Sequence, residues 1–218
     1  SALRFVPTKA SSQNPDALPV GFSKTEHTWK GEYYAGLTCM ACHSGLITQE
    51  RTTLFIAGGA TLSDFTGLTT GLRDALQAAL SDAAKFERLA TRMGYKTEDG
   101  HEELRAVGQT TADEIAYRIK VNDTEHAYGF GRVDAVGQIY NQSTGVNLDI
   151  DSNLADPNAP VSYPFLCGTS QSHVVHWTGL APNYLPAGVL PRHPGEGLGV
   201  LGRIVRGDKP GPIRPGYL

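Results

Sequence analysis

Charge of one sign is what this sequence most obviously lacks. Its 19 Lys and Arg stand against 22 Asp and Glu, a formal net charge of −3. It has neither the basic excess that holds nucleic acid nor the acidic block of a solvating tail. Long hydrophobic runs are missing as well. Mean hydropathy is −0.26, and no apolar stretch approaches the roughly 18 residues of a transmembrane helix, so no membrane span is predicted. Cysteine is scarce, with three residues at 39, 42 and 167. Two of them share one short motif, which excludes a disulfide framework. No signal peptide pattern opens the chain at Ser1. That is compatible with a mature or trimmed form and is no argument for a cytoplasmic address.

What is present is enough apolar residue for a core, 40% of the chain, interrupted by 25 Gly and 13 Pro. Residues 1–28 are polar and turn-rich, with Asn14-Pro15 and Leu18-Pro19, and read as an irregular lead-in. A short helix is expected over about 30–43. From Leu72 the apolar residues fall at Ala75, Leu76, Ala79, Leu80, Ala83, Phe86, Leu89, Ala90 and Met93, which is helical spacing. Ser81-Asp82 within that run suits a cap between two helices as well as a continuous rod, and Gly94 suits a left-handed terminator. Leu104, Val107, Ile115 and Ile119 predict a further helix to about Lys120. Beyond 121 the periodicity fades, and no strand of convincing length shows. The pattern predicts a mostly α protein with little β and long ordered loops, of a kind that function or a large cofactor has to order.

The chemistry is concentrated in Cys39-Met40-Ala41-Cys42-His43, the C-x-x-C-H pattern of c-type haem attachment. Two thiols three positions apart reach two vinyl groups on neighbouring pyrroles, and the next residue offers an imidazole to the iron. With 3 Cys and 7 His in 218 residues, the pattern is expected about 0.001 times by chance. A thioredoxin-like C-x-x-C needs a βαβ setting that the sequence lacks, and a zinc site needs more clustered Cys or His. Haem c is attached on the outer face of an energy-transducing membrane, so a periplasmic or extracellular location is expected, and an unoxidised Cys167 is compatible with it.

Candidates for the sixth iron position are His27, His101, His126, His173, His176, His193 and Met93. His126, His173 and His176 lead. His173 and His176 share a face if the segment Gly168–Gly179 is helical, and Met93 reads as a core residue on a helix stripe. Arg132, in the glycine-rich Tyr128–Ala135 stretch, can pair with a haem propionate or with its neighbour Asp134. Phe165 and Trp177 read as core residues or as lining for a haem edge. Ser170 has no G-x-S-x-G elbow around it. Glu50, Asp64 and Glu125 are the carboxylates available as a distal acid or base, each also explicable as a surface charge.

Leu18-Pro19-Val20-Gly21-Phe22 ahead of Gly36–Gly45 resembles the first haem segment of dihaem cytochrome c peroxidase-like proteins, most closely the branch holding the haem-c rubber oxygenases. Gly59-Ala60 followed by Asp64-Phe65, the Tyr128–Ala135 loop, and Pro157–Pro164 leading to His176-Trp177-Thr178-Gly179 fit the same branch. The resemblance is scattered over residues 18 to 205. It implies a cytochrome c-like haem domain over 29–205 and one covalent haem, with His43 as proximal ligand. It also implies Phe165 near the distal face, where peroxide reduction or oxygen binding takes place. Two features depart from it. No second C-x-x-C-H follows, and Cys167 stands where a Trp is usual. Residues 206–218, with Gly211-Pro212 and Pro215-Gly216, read as a linker-like tail, and the chain as part of a longer protein. The expected partner is then an electron donor or acceptor protein or a second haem domain, with a small-molecule oxidant. Three functions follow: a peroxidase- or oxygenase-like redox enzyme, an electron carrier with a six-coordinate haem, or a non-catalytic haem subunit.

Overall fold

The computed structural model describes residues 2–25, 34–175, 179 and 181–184, and the backbone alone at 203–205 and 214–216. The lead-in folds into turns secured by its own polar side chains. Asn14 Nδ2 donates to Thr8 Oγ1 and to the Leu18 carbonyl, each at 2.9 Å. Phe5 is buried, and its ring meets Phe22 edge-on with centroids 5.0 Å apart. Strand β1 (Phe22–Lys24) pairs antiparallel with β2 (Ala35–Leu37), and a single 3-10 turn, Cys39–Ala41, follows. The helix expected over about 30–43 is therefore replaced, in its described part, by a strand and one tight turn.

Strands β3 (Ser44–Gln49) and β4 (Thr52–Ala57) form a hairpin through Glu50 and Arg51, in register from Ser44↔Ala57 to Gln49↔Thr52. Its sequence hides it. Leu46-Ile47 and Leu54-Phe55-Ile56 put apolar residues on both faces, so the two-residue alternation that announces a half-buried strand is absent.

The helical predictions rest on stronger signals. Helix α1 (Phe65–Ser81) ends at Asp82, whose carboxylate accepts from the Lys85 N–H at 2.9 Å and starts α2 (Ala83–Met93). Gly94, at φ +82°, closes α2. Helix α3 (Glu98–Val121) is capped by Thr97. Phe86, Ala90 and Leu104 form the core between α2 and α3, with Leu80, Leu89 and Tyr95 against it. Arg105 covers the Phe86 ring at 3.5 Å and His101 meets its edge. Met93 is 58% exposed at the end of α2, not a core residue.

The remainder is short elements locked by side-chain clamps. Strand β5 (Arg132–Val133) leads to α4 (Ala135–Tyr140). Asn141, fully buried, donates to the Val121 and Ala155 carbonyls and accepts from the Ala155 N–H. Strand β6 (Val161–Ser162) pairs with β5, β7 (Val174–Val175) with β8 (Ala181–Pro182), and β9 (Arg203–Val205) with β10 (Arg214–Gly216).

The fold is thus mixed α and β, with five small antiparallel pairings among the described residues, which overturns the expected mostly α architecture with little β. Most of these strands are two or three residues long, too short for any periodicity to show. Where it is described, Gly168–Gly179 is a tight turn (Thr169–Gln171) and a strand, so helical spacing does not relate its histidines. No helix among the described residues is long and apolar enough to cross a membrane.

Candidate functional site

The turn carrying Cys39 and Cys42 is shaped from both sides. Gly21 holds φ +84°, and a Cβ there would lie 1.9 Å from the Ala41 nitrogen. Only glycine lets the backbone of the Leu18–Phe22 segment press against the motif. The Gly21 carbonyl in turn accepts from the Thr38 N–H at 2.7 Å. On the other side His43 N–H donates to the Cys39 carbonyl at 2.9 Å, and the His43 carbonyl accepts from Gly58 N–H, extending the hairpin ladder by one rung. His43 therefore leaves the turn on the first rung of a rigid hairpin.

Its ring is fixed as well. His43 Nδ1 lies 2.6 Å from the Pro164 carbonyl oxygen. A carbonyl only accepts, so Nδ1 carries the proton, and the lone pair is on Nε2. Tyr163 packs against the imidazole, with ring centroids 6.2 Å apart. The 163–167 segment is tied to the hairpin by Leu166 N–H on the Gly58 carbonyl at 2.8 Å, and Cys167 Sγ contacts the Ala57 carbonyl at 3.6 Å. Phe165, beside the His43 acceptor, is 71% exposed.

All three cysteines are free thiols. Cys39 is exposed. Cys42 is partly buried against the hydroxyls of Tyr163 and Ser63, and burial pushes its thiol up. A thiol held neutral is a poor thiolate nucleophile or metal ligand, whereas a thioether carries no charge to desolvate. Burial likewise pushes the Tyr163 phenol up. Ser63 and Tyr163 are almost completely buried, and their hydroxyls have no hydrogen-bond partner outside this cluster with Cys42. A buried hydroxyl left without any partner costs about 1–3 kcal/mol.

Cys39, Cys42 and His43 do not converge as zinc ligands do, and no three His, Cys, Asp or Glu side chains gather for a bare metal ion among the described residues. A porphyrin iron asks less of the protein, since the macrocycle supplies four nitrogens and the chain needs to supply one imidazole. Two thiols beside an imidazole whose lone pair is freed by a backbone acceptor fit that demand, and the acceptor is the outer partner that such a ligand needs.

The other predicted residues are placed unevenly. Arg132 opposes Ser162 in the β5–β6 pair, one residue from Tyr163; it is exposed and makes no ion pair with a carboxylate among the described residues. Asp134 is not its counter-charge, because it is buried and divided between the Gly137 and Ala159 N–H groups. Asp64 is the cap of α1, accepting from Gly67 N–H at 2.8 Å. His126 is exposed and lines a groove of about 470 Å³ between the start of α1 and the end of α3, with Phe65, Ile119, Tyr128 and Phe130. His173 is exposed ahead of β7, and His101 is engaged with Tyr95 and Glu87. His27, His176, Trp177 and His193 lie outside the described residues. Sequence reasoning missed Ser63, and it named Gly21, Tyr163 and Pro164 only within stretches of the resemblance, with no role in the site. Tyr163-Pro164 directly before Phe165 was the available signal.

No family model matches the chain, and no solved structure does. Over 205 residues it is 31% identical to "uncharacterized protein y4iJ" of Sinorhizobium fredii, an alignment that takes in 84% of this chain and 33% of that protein. The chain thus spans about a third of the length of the curated relative it matches.

Proposed function

We propose that the chain is the c-type haem domain of a periplasmic or extracellular redox protein. Haem c is attached through Cys39 and Cys42, and His43 is the axial ligand from the protein. The observation that carries the reading is the 2.6 Å contact between His43 Nδ1 and the Pro164 carbonyl, which presents a lone-pair nitrogen directly after the two thiols. The reading rests on the site and not on the fold.

When bound, such a haem supplies an iron centre for electron exchange and for peroxide or oxygen chemistry. The chain supplies the surroundings. Pro164 orients His43, and Arg132, which makes no ion pair among the described residues, offers a cation to a propionate. Phe165, exposed beside the His43 acceptor, offers apolar surface there. The resemblance to the dihaem peroxidase-like and rubber-oxygenase proteins gives the direction of the chemistry, a peroxidase- or oxygenase-like oxidoreductase that takes a small-molecule oxidant. An electron-transfer protein or a second haem domain would be its partner, and a relative three times as long accommodates one.

The test is the EPR and visible spectrum of the oxidised holoprotein before and after azide. A high-spin signal that azide converts to low-spin supports an iron open to a small oxidant. A low-spin signal indifferent to azide, before and after partial reduction, contradicts it and makes the chain an electron carrier with a histidine such as His126 or His173 in the sixth position.

A further inference from the structure

The glycine-rich loop and the two buried hydroxyls belong to one construction. Gly131 N–H donates to the Ser63 carbonyl and the Gly131 carbonyl accepts from Tyr163 N–H, each at 3.0 Å. Gly131 thus clips the Thr61–Asp64 and Tyr163–Phe165 segments together. Its φ is +66°, and a Cβ on it would fall 2.4 Å from the Thr61 carbonyl oxygen. The Thr61 N–H also donates to the Cys42 carbonyl at 3.3 Å. The outcome of this lacing is that Ser63 (1% exposed) and Tyr163 (6% exposed) bring two hydroxyls against the sulfur of Cys42 and beside each other, with no hydrogen-bond partner outside this cluster.

We propose that Ser63 and Tyr163 are positioning residues for the haem linkage, their hydroxyls donating to the Cys42 sulfur once it is a thioether and setting both its orientation and the reduction potential of the haem it holds. The inference rests on the haem c reading above. A thiol brings its own proton into the cluster and competes as a donor. A thiol sulfur also accepts, whereas a thioether sulfur is acceptor only, so two donors facing it suit the attached form better than the free one. Two buried hydroxyls with no partner outside this cluster have the Cys42 sulfur as the acceptor within reach. Donating in this way, the hydroxyls would turn the positive ends of their dipoles toward the sulfur that joins the haem to the chain. In a dry setting that favours the reduced, more electron-rich haem.

Holoprotein produced with haem attachment is compared for wild type, Tyr163→Phe, Ser63→Ala and the double variant, with Ser162→Ala as a neighbouring exposed hydroxyl outside the cluster. The readouts are the midpoint potential and the carbon–sulfur stretching band in the resonance Raman spectrum. Tyr163→Phe keeps the ring against His43 and removes only the oxygen. The expected result is a lower midpoint and a displaced band in each single variant, a larger change in the double, and no change in Ser162→Ala. If one variant does not accumulate folded, the other carries the same test alone. Midpoint and band identical to wild type in the hydroxyl variants would overturn the assignment while leaving the haem c reading standing. A wild type without covalent haem would overturn both.

Discussion

Gly131 is the residue on which the site's geometry turns. It combines a left-handed φ with contact at 2.4 Å between a would-be Cβ and a backbone oxygen, so alanine there meets strain and collision together. Gly129 has a similar φ of +77° and open space around it, and alanine there meets strain alone. Gly131→Ala should destabilise by about 2 kcal/mol or more, a fall in Tm of roughly 5 °C for a chain of this size, and Gly129→Ala by clearly less. Thermal unfolding of the two variants decides this; equal losses would show that the Thr61 contact is not the constraint. The Cys-His motif and the glycine loop were legible from sequence because they are local patterns. Ser63 and Tyr163 were not. They lie 21 and 121 residues from Cys42, and nothing in a serine or tyrosine codon signals that its hydroxyl has no partner outside the cluster.

At the scale of elements, legibility followed length. Helices α1 to α3 carry several turns of apolar spacing, and their boundaries are marked by Asp82, Gly94 and Thr97, residues whose capping chemistry is local. The β3–β4 hairpin was invisible because apolar residues stand on both of its faces, and four of them, Leu46, Ile47, Leu54 and Phe55, are exposed by about half. The remaining strands are too short for a period. The boundary at Asp82 also titrates. Its carboxylate is held below the usual range, chiefly by the Lys85 N–H. Because the folded form holds the lower pKa, its contribution is complete above the unfolded value and is lost as pH falls through the folded one. The difference in Tm between wild type and Asp82→Ala should therefore shrink as pH is taken from about 6 to about 3. A difference constant across that range would mean that the charge on Asp82 plays no part in the cap.

For the whole molecule, the mixed fold matters less than what it brings together. Four segments far apart in sequence, around Gly21, Cys39–His43, Ser63 and Tyr163–Pro164, meet at one place. Gly21, Cys39–His43 and Tyr163–Pro164 belong to stretches that carry the resemblance, whereas the periodicity that predicted little β could not register strands of two or three residues. Whether this place holds a haem by covalent bonds is read from the mass of the denatured chain. Protein exported from a host that attaches haem c should, after denaturation, weigh one haem more than its sequence, and the Cys39→Ala, Cys42→Ala double variant should return to the mass of the bare chain. A wild-type chain of bare mass, or a double variant that keeps its haem under denaturation, would rule out haem attachment through these two cysteines.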